Sequence, residues 1–230
     1  MNASGVVLVH GLWHGAWSWD LVRCRLDAAG VVSVAVELPM TTLADDAAVV
    51  HDALEHIGSP VVLAGHSYGG AVITVAGGHP AVRRLVYVAG FQLDVGESIS
   101  RVLPDAAVAP TRLVEALRFS ADDKQVGVDE VMARDLLYAQ APSAEVDAAL
   151  ARVRPVGRAV FSSRAHTIAW HTVPSTYAVC TEDLTVAPDL QRAMARRATT
   201  VVEWASDHSP QVSHPDLVAD LLISAARAKR

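Results

Sequence analysis

The chain has 230 residues, which is enough for one domain with a sizeable hydrophobic core. Its net charge of −6, with scattered arginines, argues against a nucleic-acid or anionic-membrane partner, and no apolar run is long enough to span a bilayer. The amino terminus lacks the segments of a signal peptide, and the cysteines Cys24 and Cys180 are expected to be reduced thiols in a cytoplasmic protein.

The first predicted elements alternate between strands and helices. A continuous apolar run over 5–10 is typical of a strand covered on both faces, and a glycine-containing loop follows it. Apolar residues at helical spacing predict helices over 17–29 and 45–57, and the run at 31–36 predicts a second buried strand between them. This alternation favours an α/β fold with a mostly parallel sheet.

The segment Gly65-His66-Ser67-Tyr68-Gly69 follows a strand-like run at 61–64 and precedes a helix-like run at 71–77. A G-x-S-x-G pattern in this setting indicates a sharp turn that exposes a serine hydroxyl at the carboxyl edge of a sheet. Glycine is needed at 65 and 69 because larger side chains would collide with the neighbouring chain. The N–H of Tyr68 could then stabilise an oxyanion. An ordinary strand-to-helix turn with a capping serine is the alternative interpretation.

A strand is predicted at 85–89, and the alternation then stops between Gly96 and His171. Within 96–171 we predict helices at 112–118, 129–140 and 143–153, with no strands between them. We interpret 96–171 as a small helical lid within a single domain of residues 1–230; a helical layer without a role at the site is the alternative. The remaining predicted elements are strands at 176–180 and 200–204 and helices at 188–197 and 215–228.

A serine hydroxyl is a weak nucleophile near neutral pH, so Ser67 needs a base, and the base needs an orienting acid. His208 follows the last predicted strand at the edge where Ser67 is expected, and we assign it as the base. His214 is the nearest rival, but it opens the last predicted helix. Asp183 follows the preceding strand and is the preferred acid, with Asp94 as the alternative.

The loop after the first strand is expected to supply a second oxyanion donor, from the N–H of Leu12 if the chain turns at Gly11 and otherwise from Trp13. His10 and His14 are expected to brace this loop through hydrogen bonds. No metal or cofactor is expected, because neither H-x-x-x-H nor paired-cysteine spacing occurs. The candidates for lining a substrate pocket, each of which could instead be lid or core packing, are Gly11, Trp13, Tyr68, Phe91, Phe119, Leu136, Phe161 and Trp170.

Four stretches together resemble one branch of the α/β-hydrolase fold, which holds plant methylesterases, hydroxynitrile lyases and bacterial carboxylesterases, including pyrethroid-hydrolysing ones. The stretches are HGLWHGAWSW at 10–19, GHSYGG at 65–70, CTED at 180–183 with the helix from 188 to 195, and DHSP at 207–210. The resemblance implies an α/β-hydrolase fold with a triad of Ser67, Asp183 and His208. It also implies an oxyanion hole formed by the N–H groups of Leu12 and Tyr68.

The resemblance further implies a serine carboxylesterase that acts on a small, fairly apolar ester without a cofactor. Hydroxynitrile lyases of the branch carry a threonine at the position of Gly11 and a lysine at that of Ser209, so an esterase is favoured over a lyase. A lactonase and a hydrolase-fold binding protein for small molecules remain alternatives. The stretch 37–45 is shorter than is usual in the branch, which affects one wall of the pocket. The oligomeric state is open, a homodimer included.

Overall fold

The computed structural model describes residues 5–57, 60–105 and 111–228, so residues 1–4, where no signal peptide is predicted, lie outside it. Its strands are β1 Gly5–Val9, β2 Ser33–Val36, β3 Val61–His66, β4 Val82–Val88, β5 Leu117–Phe119, β6 Gln125–Val128, β7 Val156–Gly157, β8 Ser175–Cys180 and β9 Thr200–Trp204. Its α-helices are α1 Asp20–Ala28, α2 Leu43–Ile57, α3 Tyr68–Ala76, α4 Ile99–Asp105, α5 Leu113–Ala116, α6 Glu130–Tyr138, α7 Ser143–Leu150, α8 Ala159–Ser162, α9 Pro188–Ala195, α10 Pro210–Ser213 and α11 Pro215–Arg227.

The main sheet of the described residues has six parallel strands in the order β2-β1-β3-β4-β8-β9. In its register Val9 pairs with Gly65, and His66 pairs with Val88. Because the strands are parallel, their carboxyl ends lie along one edge, and the loops after β1, β3, β8 and β9 meet there. This arrangement confirms the predicted parallel α/β fold.

The sheet is covered by helices on both faces, which explains why β1 reads as a continuous apolar run. Its alternate residues enter different cores: Val7 and Val9 pack on the side of α2 and α3, whereas Val6 and Leu8 pack on the side of α1 and α11. Every residue of β1 is buried. A strand of this kind has no polar face, as expected in a doubly covered parallel sheet.

The prediction of a buried strand over 31–36 is wrong in its start and in its burial. β2 begins at Ser33 and forms the edge of the sheet, paired only with β1. Val32 and Val34 are 76% and 37% exposed. An edge strand lacks a second neighbour, so its apolar side chains need not be covered, and the apolar composition alone could not distinguish the two cases.

The prediction that 96–171 contains no strands is also wrong. β5, β6 and β7 form an antiparallel sheet of three strands within this segment. The chain leaves α5 after Ala116, since Leu117 takes an extended conformation with φ −66° and ψ 135°. A polar turn then reverses it at Asp123, which has a positive φ of 57°. The predicted helices over 129–140 and 143–153 are present as α6 and α7.

The insertion contacts loops at the carboxyl edge of the main sheet. The N–H of Gly157 in β7 donates to the carbonyl of Met40 at 2.8 Å, and the indole N–H of Trp13 donates to the carbonyl of Val126 in β6 at 3.0 Å. The insertion therefore lies over the edge where Ser67 is found. In the part of the chain that the structure describes, no helix has both the length and the apolar character needed to cross a membrane.

Candidate active site

Ser67 lies between the end of β3 and the start of α3 with φ 51° and ψ −119°, a conformation that is strained for a residue with a side chain. Hydrogen bonds hold it there. Its N–H donates to the carbonyl of Val88 at 3.1 Å, and its own carbonyl accepts from the N–H groups of Gly70 and Phe91, both at 2.9 Å. The turn is thus fixed to β4 and to the loop that follows β4.

The two glycines of the motif are required by close backbone approach, as the sequence predicted. A Cβ at residue 65 would lie 2.3 Å from the carbonyl oxygen of Gly69, and a Cβ at residue 69 would lie 2.4 Å from that of Val9. Both contacts are with backbone atoms, which cannot move aside. The sharp turn can therefore form only when both positions lack a side chain.

The loops after β8 and β9 bring Asp183 and His208 together. Nδ1 of His208 donates to Oδ2 of Asp183 at 2.7 Å, and both side chains are almost completely buried. Because Nδ1 carries the proton of the neutral ring, Nε2 is left as the acceptor. The rival acid, Asp94, is half exposed and instead lies 3.7 Å from His171, while the rival base His214 contacts Gln140.

Asp183 is held by four donors. Its Oδ1 accepts from the N–H groups of Thr185 and Val186 at 2.7 and 2.8 Å. Its Oδ2 accepts from Nε2 of Gln191 at 2.7 Å, in addition to His208. A buried carboxylate with its lone pairs filled in this way has little freedom to turn, so it can orient the imidazole.

His66 ties the turn of Ser67 to the loop of His208. The two rings are 4.8 Å apart, and Nε2 of His66 donates to the carbonyl oxygen of His208 at 2.8 Å. Gln211 donates to the other ring nitrogen of His66 at 3.2 Å. Burial, followed by the nearby His208 ring, lowers the pKa of His66 well below its usual value. His66 is therefore a neutral brace rather than a proton carrier for Ser67.

Ser67 directly follows His66, whose ring lies 4.8 Å from that of His208, but Ser67 itself is not hydrogen bonded to His208. Among the described residues, no hydrogen bond joins the hydroxyl of Ser67 to the ring of His208. Catalytic hydrogen bonds are often long before substrate binds and tighten only in the complex. The two groups lie on a common edge, with the ring fixed by Asp183 and the serine fixed by its turn.

The loop after β1 passes directly over the serine. A Cβ at Gly11 would lie 2.9 Å from Cβ of Ser67 and 2.9 Å from Nδ1 of His66. The N–H of Leu12 has no hydrogen-bond acceptor among the described residues, although Leu12 is only 6% exposed. Tyr68 is the first residue of α3, so its N–H has no acceptor within the helix. Two backbone donors next to one hydroxyl can stabilise an oxyanion.

Two histidines brace this loop, as predicted. Nδ1 of His10 donates to the carbonyl of Gly11 at 2.9 Å, and Nδ1 of His14 donates to that of Leu12 at 2.8 Å. Burial lowers the pKa of His10 to about 4 and that of His14 to about 3. Both rings are therefore neutral at neutral pH, and neither can act as a positively charged group at the site.

The pocket candidates take different positions. Trp13 is buried, with a positive φ of 63°, and its ring centroid lies 6.5 Å from that of the half-buried Phe161. Phe91 is buried, and its N–H donates to the carbonyl of Ser67. Trp170 donates its indole N–H to Leu93 at 2.8 Å. Phe119 is 54% exposed against Arg158, so it lies outside the buried surroundings of Ser67.

Two further candidates make contacts elsewhere. The ring of Tyr68 is fully buried, and its hydroxyl donates to Asp46 of α2. Leu136 of α6 lines a cleft of about 620 Å³ whose wall includes Asp183. Within the described residues, no group of three or more histidine, cysteine, aspartate or glutamate side chains could hold a metal ion.

Sequence reasoning missed several residues that support the site. Asp207 is buried beside His208 and accepts from the Ser213 hydroxyl at 2.6 Å and from the N–H of Gln140 at 2.9 Å. Its place in a loop gave no sign of burial. Gln191 did carry a signal, because it shares the buried face of the amphipathic helix α9 with Met194. Polar residues on such faces are usually hydrogen bonded.

The chain is similar to known proteins over almost its whole length. A model of the alpha/beta hydrolase family matches residues 6–221. The alpha/beta hydrolase nvfD of Aspergillus novofumigatus is 30% identical, with 98% of each chain covered. Methylesterase 7 of Arabidopsis thaliana is 31% identical over 98% of this chain and 97% of its own.

Solved structures show the same fold. A pyrethroid hydrolase from Sphingobium faniae superposes with a TM-score of 0.84 at 19% identity, covering 99% of this chain and 98% of its own. Polyneuridine aldehyde esterase superposes with a TM-score of 0.86 at 20% identity, covering 97% of this chain and 99% of its own.

Proposed function

Because the chain belongs to the alpha/beta hydrolase family, we propose that it is a serine carboxylesterase that cleaves a small, fairly apolar ester. The observation that carries the proposal is the 2.7 Å hydrogen bond from His208 to Asp183, at the same edge of the sheet as a serine held on a strained turn. This combination supplies an oriented base and a hydroxyl in a fixed position, the two requirements of acyl transfer through a covalent intermediate.

In the proposed reaction, Oγ of Ser67 attacks the ester carbonyl while Nε2 of His208 takes the hydroxyl proton. Asp183 stabilises the imidazolium that forms, since its Oδ2 accepts the hydrogen bond from Nδ1. The N–H groups of Leu12 and Tyr68 stabilise the oxygen that becomes negative. The tetrahedral intermediate then collapses, and His208 returns the proton to the departing alcohol.

The acyl-enzyme is hydrolysed by the reverse use of the same groups. His208 takes a proton from a water molecule, whose oxygen attacks the acyl carbonyl. The second tetrahedral intermediate is stabilised by the same two N–H groups, and its collapse releases the acid while His208 returns the proton to Ser67. One water molecule is the co-reactant that balances the reaction.

The nature of the substrate is proposed from the surroundings of Ser67 and from the relatives. Three apolar residues of the adjoining segments are buried: Leu12 and Trp13 in the loop that passes the serine, and Phe91, whose N–H donates to the serine carbonyl. Such surroundings favour an uncharged, apolar acyl or alcohol group. Several similar proteins are named methylesterases or esterases, which supports a carboxylic ester with a small alcohol part.

A lyase is disfavoured by the space above the serine. A side chain at residue 11 would begin 2.9 Å from Cβ of Ser67, so the loop leaves no room for the hydroxyl-bearing residue of a hydroxynitrile lyase. Ser209, which follows His208, is completely buried and carries no positive charge for a cyanide leaving group. An ester panel that varies acyl and alcohol size would define the preferred substrate and include lactones.

The proposal is tested by turnover of p-nitrophenyl acetate. We expect Ser67→Ala and His208→Ala each to lower kcat by about 10³ or more, as for other triads. Ser162→Ala is the matched control, because this serine is exposed on α8. Labelling of the wild type but not of Ser67→Ala by a fluorophosphonate would support the same residue. Undiminished turnover in either triad variant would disprove the assignment.

A further inference from the structure

Tyr138 belongs to the insertion, yet it contacts the loop that passes over Ser67. It is the last residue of α6 and is 1% exposed. Its hydroxyl lies 2.9 Å from Nε2 of His14, a residue 124 positions earlier in the chain. The hydroxyl has no other hydrogen-bond partner among the described residues, so its one contact of this kind is with His14.

The direction of this hydrogen bond follows from the other side of the ring. Nδ1 of His14 lies 2.8 Å from the carbonyl oxygen of Leu12, which can only accept, so Nδ1 carries the proton. The ring is neutral, since burial lowers the pKa of His14 to about 3. Nε2 therefore has a lone pair, and the hydroxyl of Tyr138 donates to it. The two contacts together select one tautomer.

His10 shows the same arrangement one step earlier in the loop. The N–H of Leu38 donates to Nε2 of His10 at 3.1 Å, and Nδ1 of His10 donates to the carbonyl of Gly11. The Gly11 carbonyl and the Leu12 N–H belong to one planar peptide group, so this bond orients the oxyanion donor directly. His14 holds the next peptide group, that of Leu12 and Trp13.

Each peptide group that flanks Leu12 is thus held by a histidine whose ring orientation is set by a donor from outside the loop. For His10 the setting donor is a backbone N–H close to the main sheet, whereas for His14 it is the side chain of Tyr138. Trp13, next in the chain, keeps a positive φ of 63° and is also held by the insertion, through Val126 and through the N–H of Arg154 at 3.0 Å.

We propose that Tyr138 is a positioning residue for the oxyanion hole, acting through the ring of His14, whose orientation it fixes. Without the hydroxyl, the buried Nε2 of His14 loses its donor, and the ring turns to recover one, which weakens the hydrogen bond from Nδ1 to the carbonyl of Leu12. The peptide group of Leu12 and Trp13 then loses this restraint, and because Leu12 links the two peptide groups, its N–H shifts from its position. The inference rests on the proposed function of Ser67, and it makes the insertion part of the catalytic machinery.

Tyr138→Phe is the direct test, with Tyr87→Phe as the matched control. Tyr87 is also fully buried, but its hydroxyl contacts only Thr74, at 3.1 Å. With p-nitrophenyl acetate, we expect Tyr138→Phe to lower kcat about tenfold, a part of the ~10²–10³ that one oxyanion donor supplies, with KM changed less than about twofold. Rates are normalised to the active fraction by titration with a fluorophosphonate.

An inhibitor separates oxyanion stabilisation from general damage. A trifluoromethyl ketone forms a tetrahedral adduct with the serine and places a negative oxygen at the oxyanion donors. We expect its inhibition constant to weaken in Tyr138→Phe by the same factor as kcat. An unchanged kcat and inhibition constant would overturn the inference, as would losses in Tyr87→Phe of the same size.

A second pair of measurements does not depend on turnover. Long-range ¹H–¹⁵N spectra of the histidine rings report which nitrogen of His14 is protonated and how that N–H is hydrogen bonded. We expect a protonated Nδ1 in the wild type and a shifted Nδ1–H resonance in Tyr138→Phe. In His14→Asn, the side-chain amide can donate to Leu12 without help, so adding Tyr138→Phe should cost no further activity. A wild-type ring protonated at Nε2, or additive losses in the double variant, would refute the mechanism even if Ser67 is confirmed as the nucleophile.

Discussion

Gln191 donates from Nε2 to Oδ2 of Asp183 at 2.7 Å, the same oxygen that accepts the hydrogen bond of His208. The amide of Gln191 also donates to the carbonyl of Val186 at 2.7 Å and accepts from the N–H of Cys180 at 2.9 Å. One completely buried side chain therefore joins the end of β8 to the carboxylate that orients the base.

Replacing Gln191 with leucine should weaken both stability and activity. The change keeps the approximate size but removes the partner of the Cys180 N–H and of the Val186 carbonyl and one of the donors to Asp183, so we expect a loss of about 1–3 kcal/mol in unfolding free energy. Because Asp183 loses one restraint, kcat should also fall. Urea unfolding and p-nitrophenyl acetate turnover measure the two effects. Gln125→Leu, at an exposed position of β6, is the control, and equal losses in both variants would contradict the prediction.

Gly11→Ala should reduce activity through crowding at the serine. The added methyl group would lie 2.9 Å from both Cβ of Ser67 and Nδ1 of His66, so the loop or the nucleophile must shift. Displacements of this kind can cost about 10² in rate, and overpacking costs about 1–3 kcal/mol. Gly78→Ala is the control, since a Cβ there meets nothing within 4 Å. Steady-state kinetics measure the activity of both variants. A Gly11→Ala variant as active as Gly78→Ala would show that the loop can move to make room for the methyl group.

The buried histidines predict a loss of stability at acidic pH. The pKa of His10 is lowered from 6.5 to about 4 and that of His14 to about 3, in both cases mainly by burial. Between those values and pH 6.5 the unfolded chain binds protons that the folded chain does not. The contribution of each neutral, buried histidine to the free energy of unfolding is therefore complete above pH 6.5. It is lost as the pH falls, by up to about 1.4 kcal/mol per pH unit for each histidine.

Urea unfolding between pH 4 and 8 measures this slope. We expect His14→Gln to reduce the dependence on pH, because glutamine does not titrate, although the variant is less stable at pH 8. His166→Gln, at an exposed loop position, should leave the slope unchanged. A slope in His14→Gln as steep as that of the wild type would show that other groups cause the acid sensitivity.

Asp207 should matter for the attachment of the insertion. Its carboxylate accepts from the N–H of Gln140, directly after α6, and from Ser213 and Ser209. Asp207→Ala leaves these donors without that acceptor, and we expect a loss of about 1–3 kcal/mol and faster proteolysis within the insertion. Asp220→Ala changes an exposed carboxylate on α11 and serves as the control. Equal proteolysis rates in the two variants would argue against this role.

Much of the fold could be read from local patterns. The buried strands β1, β3, β4 and β8 and the helices around them have runs and spacings that depend only on neighbouring residues. The wrong predictions concern features that depend on tertiary contacts. Val32 and Val34 are exposed because, among the described residues, β2 forms the edge of the sheet. The short strands β5 to β7 exist because they pair with one another across the insertion.

The sequence by itself determined the sharp turn at Ser67, because such a strand-to-helix turn brings backbone atoms too close to positions 65 and 69 for a side chain. It also indicated the partners of Ser67, since parallel strands place the loops of Asp183 and His208 at a common edge. Only the tertiary structure decided which polar groups hold these side chains in place. Gln191, Asp207 and Tyr138 reach residues 8 to 124 positions away or on other elements, and hydrogen bonds across such separations leave no periodic trace in the chain.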